Sequence, residues 1–393
     1  MIANKELSVY LLEATFEAEK ALLKSPTIVS EKNGKDLVTS WDLSIQAALL
    51  DYFERQRIKV SFLGEEGTYL DECPEIVLLV DEMEGSQNAI NALPFGINIA
   101  AAPYGPHLKV QDLVASVVAN LRDGRKFVAI KGEGFGTIEG NTSVRNPFKK
   151  STDIWEVPLG YITSPQQLKK QFDVYNLFSS LFGPQYRSVD STGTRLVEIT
   201  SANIRAYADY RDATKPWDVL PSWLILKEGG FICTDILGFH FEEASLCIEG
   251  KLNMNVGKNF LATLSKDDHK KVTDGLIKMR LLRAFLDDIE SSWSLSEKWR
   301  QITINILPTF FLDPIRSANN ILKGLTDKTP ELVGHYVAEL FTEIIRDKKE
   351  SYGFIEEADL SSFKNTVESF LCSLSPDERL NRGFEDNIKR PFN

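Results

Sequence analysis

The stretch Ile76-Val77-Leu78-Leu79-Val80-Asp81-Glu82-Met83-Glu84-Gly85-Ser86 runs from five apolar residues straight into acidic ones. The apolar run is rich in β-branched residues and reads as a buried strand. Ser86 is placed to open a helix, and Gly85 lets the backbone approach a ligand closely. A second run, Ile58 to Leu63, has the same character and ends in Gly64-Glu65-Glu66. Carboxylates at the ends of buried strands are where open sheets place their chemistry. The fold therefore reads as sheet-centred, with acidic groups gathered at strand ends.

On the N-terminal side, residues 5–24 predict an amphipathic helix with Leu7, Leu11, Leu12, Ala14, Ala18 and Leu22 near one face. A polar turn, Glu31-Lys32-Asn33-Gly34, and a second helix over roughly 41–56 follow. On the C-terminal side, residues 96–139 predict antiparallel hairpins, with turns at Arg122-Asp123-Gly124-Arg125 and Gly132-Glu133-Gly134-Phe135-Gly136. The glycine cluster lacks G-x-G-x-x-G spacing and no helix pattern follows it, so it reads as a β-turn rather than a nucleotide loop. Residues 146–153 form a polar linker, and strand and helix patterns alternate from about 154 to 265. Beyond about 270 the pattern becomes helical, punctuated by Pro308, Pro314 and Pro330. There is no internal repeat. The expected division is 1–153, 154–270 and a helical extension, 271–393.

In that extension Met279, Leu282, Phe285, Leu286 and Ile289 give one apolar stripe, and Leu332, Val337, Leu340, Phe341 and Ile344 another. Helix packing is the plainer reading. An active-site lid or a dimer surface is the alternative.

The chain has 393 residues, 56 acidic against 45 basic, and a formal net charge of −11. At about 150 residues per domain this predicts two or three domains. The hydrophobic share of 43% excludes a mainly disordered chain. The acidic balance argues against a nucleic-acid polymer or an anionic membrane as partner. It leaves room for anion binding through a held cation. Cys73, Cys233, Cys247 and Cys372 form no C-x-x-C pair, and His107, His240, His269 and His335 show no metal-ligand spacing. A zinc site or disulfide framework is not expected. The N-terminus has no signal-peptide pattern and no apolar run approaches a bilayer span, so a cytoplasmic location is expected. The sequon Asn141-Thr142-Ser143 then reads as chance.

Asp42, Glu65, Asp81, Glu84 and Asp218 fall at expected strand ends or helix starts. Hard cations such as Mg²⁺ take oxygen ligands, and two close ions can stabilise attacking and leaving oxygens in phosphoryl transfer. Acidic loops on a solvated surface are the competing explanation.

Several segments, in order over about residues 5–265, carry a resemblance. Lys35-Asp36-Leu37-Val38-Thr39-Ser40-Trp41-Asp42 is similar to D-L-V-T-x-x-D, and Phe62-Leu63-Gly64-Glu65-Glu66 to a strand ending in G-E-E. Asp81 to Asn88 resembles D-P-[IL]-D-G-T-x-N, followed by Leu93-Pro94-Phe95. Lys131 to Phe135 resembles a G-x-G-A hairpin, and Arg187-Ser188-Val189 the start of R-S-x-G-[ST]. Trp217-Asp218, Leu226-Lys227-Glu228-Gly229-Gly230 and Thr234-Asp235 fit W-D…E-A-G-G…D. Together they resemble the inositol monophosphatase family, within the lithium-sensitive Mg²⁺-dependent phosphatases that include fructose-1,6-bisphosphatases and 3′-phosphoadenosine phosphatases. The resemblance implies an α+β fold, a layered αβαβα sandwich of the sugar-phosphatase type. To this the chain would add the all-helical C-terminal extension.

The resemblance also implies roles. Glu65 and Asp81, with the Met83 carbonyl, would hold one Mg²⁺, and Asp81, Glu84 and Asp218 a second; two or three ions are expected, with Mn²⁺ as a substitute. Ser86 would pass a proton from the attacking water towards Asp42, with Glu65 counted in the same catalytic set. Backbone N–H groups at Gly85 and Ser86 would hold phosphate oxygens. Asp190, Ser191 and Arg211 would border the substrate, a small phosphorylated sugar, polyol or nucleotide. A homodimer is the candidate assembly.

This sequence departs from the pattern at four places. Glu84 stands for the expected Asp, Glu82 for Pro, Ser86 for Thr and Asp190 for Gly. Arg211 could meet a second phosphate, or pair with Asp209 or Asp212 on a turn. Two readings follow: a metal-dependent phosphomonoesterase, or a catalytically impaired relative that binds partners through its extension.

Overall fold

The computed structural model describes residues 2–276, apart from 23–26, 33–35, 92, 106, 140–141, 145–152, 160–161, 163, 237, 249–250 and 274. The linker expected at 146–153 lies outside the described residues except for Asp153. So does the helical extension beyond its first few residues, with both of its apolar stripes.

α1 (Asn4–Lys20) carries Leu7, Leu11, Ala14 and Ala18 at helical spacing, and all four are buried. β1 (Ile28–Lys32) and β2 (Asp36–Thr39) pair antiparallel around the segment read as a polar turn. β2 runs directly into α2 (Ser40–Arg55). Thr39 caps that helix, accepting from the Trp41 and Asp42 N–H groups, while Asp42 accepts from the Thr39 N–H, a capping box.

β3 (Val60–Gly64), β4 (Thr68–Tyr69), β5 (Ile76–Glu84), the short α3 (Ser86–Ile90), β6 (Gly96–Pro103), β7 (Ala115–Asn120), β8 (Lys126–Ile130), β9 (Gly134–Glu139) and β10 (Thr142–Val144) follow. Their strands form one eight-stranded sheet in the order β10-β9-β8-β7-β6-β5-β3-β4. Only β3 and β5 pair in parallel. Every residue of both is buried, which explains why both are mostly apolar rather than alternating. β5 does not stop at the first acid. It continues to Glu84, with a register shift against β6 between Asp81 and Glu84.

The faces of this sheet follow from the pleat. Ile97 and Ile99 of β6 join a core with Leu7 and Leu11 of α1 and Ile45 and Leu49 of α2. Asn98 and its register partner Asp81 therefore lie on the opposite face.

The second half contains β11 (Trp155–Glu156), α4 (Pro165–Phe182), β12 (Tyr186–Arg187), α5 (Thr192–Leu196), β13 (Ala206–Asp209) and α6 (Pro216–Glu228). β14 (Ile232–Thr234), the small hairpin β15 (Cys247–Ile248) with β16 (Lys251–Leu252), and β17 (Phe260–Thr263) complete it. A five-stranded sheet has the order β12-β11-β13-β17-β14. α6 packs on β5 to β9 and also on β14. It is buried almost all round, from Val219 to Leu226, as a helix between two sheets must be. The layers thus run α1 and α2, large sheet, α5 and α6, small sheet, and the α+β layered architecture stands as expected. Met1–Tyr175 and Phe182–Lys271 form one compact unit that contains both sheets. No helix among the described residues is long and apolar enough to cross a membrane.

Buried ion pairs pin the second half. Arg195 donates to both oxygens of Glu156, one at 3.1 Å, and Glu156 is fully buried. Arg125, from the turn before β8, pairs with buried Glu198. Removing one partner strands the other charge in low dielectric. Glu156→Ala is expected to lower unfolding stability by about 3–5 kcal/mol, as urea denaturation would measure.

Candidate metal centre

The site forms where three elements end together. Glu65 follows β3, Asp81 lies in β5, and Asp218 sits in the first turn of α6. One carboxylate oxygen from each lies within 4.8 Å of the others. Asp81 is buried, and Glu65 and Asp218 are partly buried. Asp218 accepts from the Lys215 N–H at 2.7 Å, which orients its carboxyl at the helix start. Asp81 accepts from the Met83 N–H at 3.1 Å.

Burial first, and then the charges of Glu84 and Glu65, push the Asp81 and Asp218 carboxyls well above the usual range. Glu84 is also raised by burial, against hydrogen bonds from its neighbours that lower it. Its Oε1 accepts from the Thr192 N–H at 2.7 Å and its Oε2 from Asn98 Nδ2 at 3.0 Å. The donor set is all oxygen, crowded, and under mutual repulsion. That is the setting a hard divalent cation relieves, so the residues fit Mg²⁺ or Mn²⁺.

Asp42 and Ser86 stand beside this cluster. Asp42 Oδ2 accepts from both the N–H and the hydroxyl of Thr39, each at 2.6 Å. Its Oδ1 faces Ser86 Oγ at 3.4 Å, and Ser86 Oγ also lies 3.1 Å from the Met83 carbonyl. Burial raises the Asp42 carboxyl, while the Thr39 bonds oppose the shift. Gly85 precedes α3 with φ +82°, a left-handed conformation that suits glycine.

Asp190, Ser191 and Arg211, expected to border a substrate, are more committed to internal contacts than the sequence suggested. Arg211 is 5% exposed, and its guanidinium grips Asp209 through Nε and Nη2 and reaches Asp190 at 3.4 Å. Of the two partners weighed for it, Asp209 is present, whereas Asp212 pairs with Lys170. Ser191 is buried and its hydroxyl meets Thr194 Oγ1 at 2.6 Å. The loop is tied to the first half by Asn88, which donates to the carbonyls of Asp190 and of Pro94.

Glu82, standing where a proline was expected, is turned into the core, 1% exposed. Gln46 Nε2 donates to its Oε1 at 3.1 Å, and its Oε2 has no hydrogen-bond partner among the described residues. A Cβ on Gly64 would lie 2.4 Å from Glu82 Oε1 and 2.3 Å from the Phe62 ring, so glycine there makes the space. Burial lifts the Glu82 carboxyl to about 8. Thr39 and Asn88 fell within the motif segments but had no role assigned from sequence, and Asn98 was not singled out. Asn98 carried a signal of its own, as an amide inside the apolar run of β6.

A family model, "Inositol monophosphatase family", matches residues 3–267, and the chain belongs to that family. It is 25% identical over 225 residues to the "Fructose-1,6-bisphosphatase/inositol-1-monophosphatase" of Methanothermobacter thermautotrophicus, covering 56% of this chain and 73% of that protein. It is 25% identical over 244 residues to the "Nus factor SuhB" of Pseudomonas aeruginosa, covering 60% and 85%. Its fold matches the extragenic suppressor protein suhB of Bartonella henselae with a TM-score of 0.55 at 18% identity, over 69% of this chain and 98% of that one. Family and relatives support a phosphatase, in a family that is generally metal-dependent.

Glu82 generates a pH prediction. Its carboxyl binds a proton more tightly folded, at about 8, than at its ordinary 4.5. The folded state then holds more protons than the unfolded one, so stability falls as pH rises between these values. Glu82→Gln is therefore expected to match the unaltered chain below pH about 4.5 and to exceed it in stability above about 8. Urea melts of the metal-free protein at pH 5 and pH 9 would show the difference widening.

Proposed function

We propose that this chain is a Mg²⁺-dependent phosphomonoesterase that hydrolyses a small phosphorylated sugar, polyol or nucleotide. The approach of Glu65, Asp81 and Asp218 to within 4.8 Å carries this reading. Glu65 and Asp81, with the Met83 carbonyl, would hold one ion, and Asp81, Glu84 and Asp218 a second; Mn²⁺ would substitute. Bound ions supply Lewis-acid charge at the phosphoryl oxygens.

The protein's own groups handle the proton and the phosphate. Thr39 fixes one oxygen of Asp42, so the other is left facing Ser86 Oγ at 3.4 Å. Ser86 takes a proton from the attacking water and passes its own to Asp42 Oδ1. The N–H groups of Gly85 and Ser86 hold phosphate oxygens. Asp190, Ser191 and Arg211 border the substrate, with Arg211 holding Asp190. A cytoplasmic location, a homodimer and the division into 1–153, 154–270 and 271–393 belong to the same proposal.

The relatives designated Nus factors support a second reading, a catalytically impaired member that binds other molecules. Phosphate release with Mg²⁺ from sugar phosphates, inositol phosphates and 3′-phosphoadenosine 5′-phosphate separates the two. Turnover on at least one supports the enzyme; none at all, with no Mg²⁺ binding by calorimetry, overturns it. Asp81→Asn is expected to lower turnover by about three orders of magnitude, the scale of several kcal/mol of lost charge stabilisation, while circular dichroism stays unchanged. Retained turnover would mean the metal assignment is wrong.

A further inference from the structure

Asn98 is the one polar side chain in β6, and it is fully buried. It stands across from Asp81 in the β5–β6 register, on the face that looks toward α5 and α6. Its Nδ2 donates to Glu84 Oε2 at 3.0 Å. Its Oδ1 has no hydrogen-bond partner among the described residues. A buried amide with one unsatisfied acceptor opposes folding, and an apolar residue of equal size would serve the strand better. Its gain lies in the bond to Glu84.

A second observation comes from across the layer. A Cβ built on Gly193 would lie 2.2 Å from Asn98 Nδ2, 2.4 Å from its Oδ1 and 2.5 Å from its Cγ. Any larger residue at 193 would displace the Asn98 amide. The neighbouring Thr192 N–H donates to the other oxygen of Glu84 at 2.7 Å. The Gly193 carbonyl accepts from Ser222 Oγ at 2.9 Å, which ties this turn to α6, the helix that carries Asp218.

Glu84 is one methylene longer than the aspartate of the family pattern. A longer side chain has more rotamers and needs more donors to hold one of them. The Thr192 and Gly193 N–H groups reach Glu84 from one layer and the Asn98 amide from the other, so its carboxylate is held from two sides. We propose that Asn98 is a positioning residue for Glu84, aligning this longer carboxylate for a divalent cation beside Asp81 and Asp218. Gly193 is the residue that gives Asn98 its space. The inference rests on the metal reading above. It adds that Glu84, Asn98 and Gly193 work as a set, so the effect of each depends on the others.

The test uses the full chain, stripped of metal and titrated with Mn²⁺ by calorimetry, with melting temperatures taken before metal is added. Asn98→Leu keeps the size and removes the donor. It is expected to weaken Mn²⁺ binding tenfold or more while the metal-free melting temperature falls only modestly, since Glu84 Oε2 loses its donor but the unsatisfied Asn98 acceptor is removed with it. A merely structural role would move the two readouts together. In a Glu84→Asp background the same Asn98→Leu change is expected to alter binding less than threefold. Gly193→Ala, which reaches Asn98 from the other side, is expected to weaken Mn²⁺ binding, and Asn98→Ala added to it to relieve the crowding and restore the melting temperature. Mn²⁺ affinity within twofold of the unaltered chain in Asn98→Leu, or equal losses from Asn98→Leu in the unaltered and Glu84→Asp backgrounds, would overturn the proposal. An unaltered chain that binds no Mn²⁺ would sink the metal reading itself, whereas binding that Asn98→Leu leaves intact sinks only this inference.

Discussion

Carboxylates that repel one another must be held together, and much of the architecture around the site serves that end. Oxygens of Glu65, Asp81 and Asp218 lie within 4.8 Å of one another. At that distance and an effective dielectric of about 20, each pair of full charges repels by about 3–4 kcal/mol. Protons or cations must offset that repulsion. In the metal-free protein burial first, and then the charges of Glu84 and Glu65, raise the proton affinities of Asp81 and Asp218. Cation binding would release those protons, so affinity and pH are linked.

The scaffold answers the repulsion with rigidity. β3 and β5 are buried along their whole length, so their ends cannot drift apart. α6 brings Asp218 from more than a hundred residues away and is itself locked between two sheets. Short polar ties complete the joint. Thr192 and Asn98 hold Glu84, Asn88 holds the Asp190 carbonyl, and Ser222 holds the Gly193 carbonyl. Arg211, gripped by Asp209, steadies Asp190 beside the site. A buried guanidinium with two carboxylate partners is a poor free anion receptor and a good strut.

Much of this was legible in the chain. The apolar runs of β3 and β5, each ending in acids, predicted both the strands and the ligand types, because strand burial and carboxylate chemistry are local properties. The hairpins from β6 to β9 followed from turn residues, and α1 and α2 from helical spacing. The reading fell short where backbone pairing overruled composition. β5 continues through Asp81 to Glu84 because β6 supplies partners there, and β1 and β2 form by pairing with each other around the predicted polar turn. Arg211 could not be assigned from sequence, since Asp209 and Asp212 flank it almost symmetrically and only packing chooses between them.

By itself the sequence determined the order of the elements, the layered α+β class, the family, and which residue types could meet a cation. Only the tertiary structure decided which oxygens converge, that Glu82 turns into the core against Gln46, and that Asn98 reaches Glu84 through the space left by Gly193. The physical reason is range. Periodicity and turn chemistry act over a few residues, whereas the bond from Thr192 to Glu84 spans 108 positions and depends on two layers meeting at one distance.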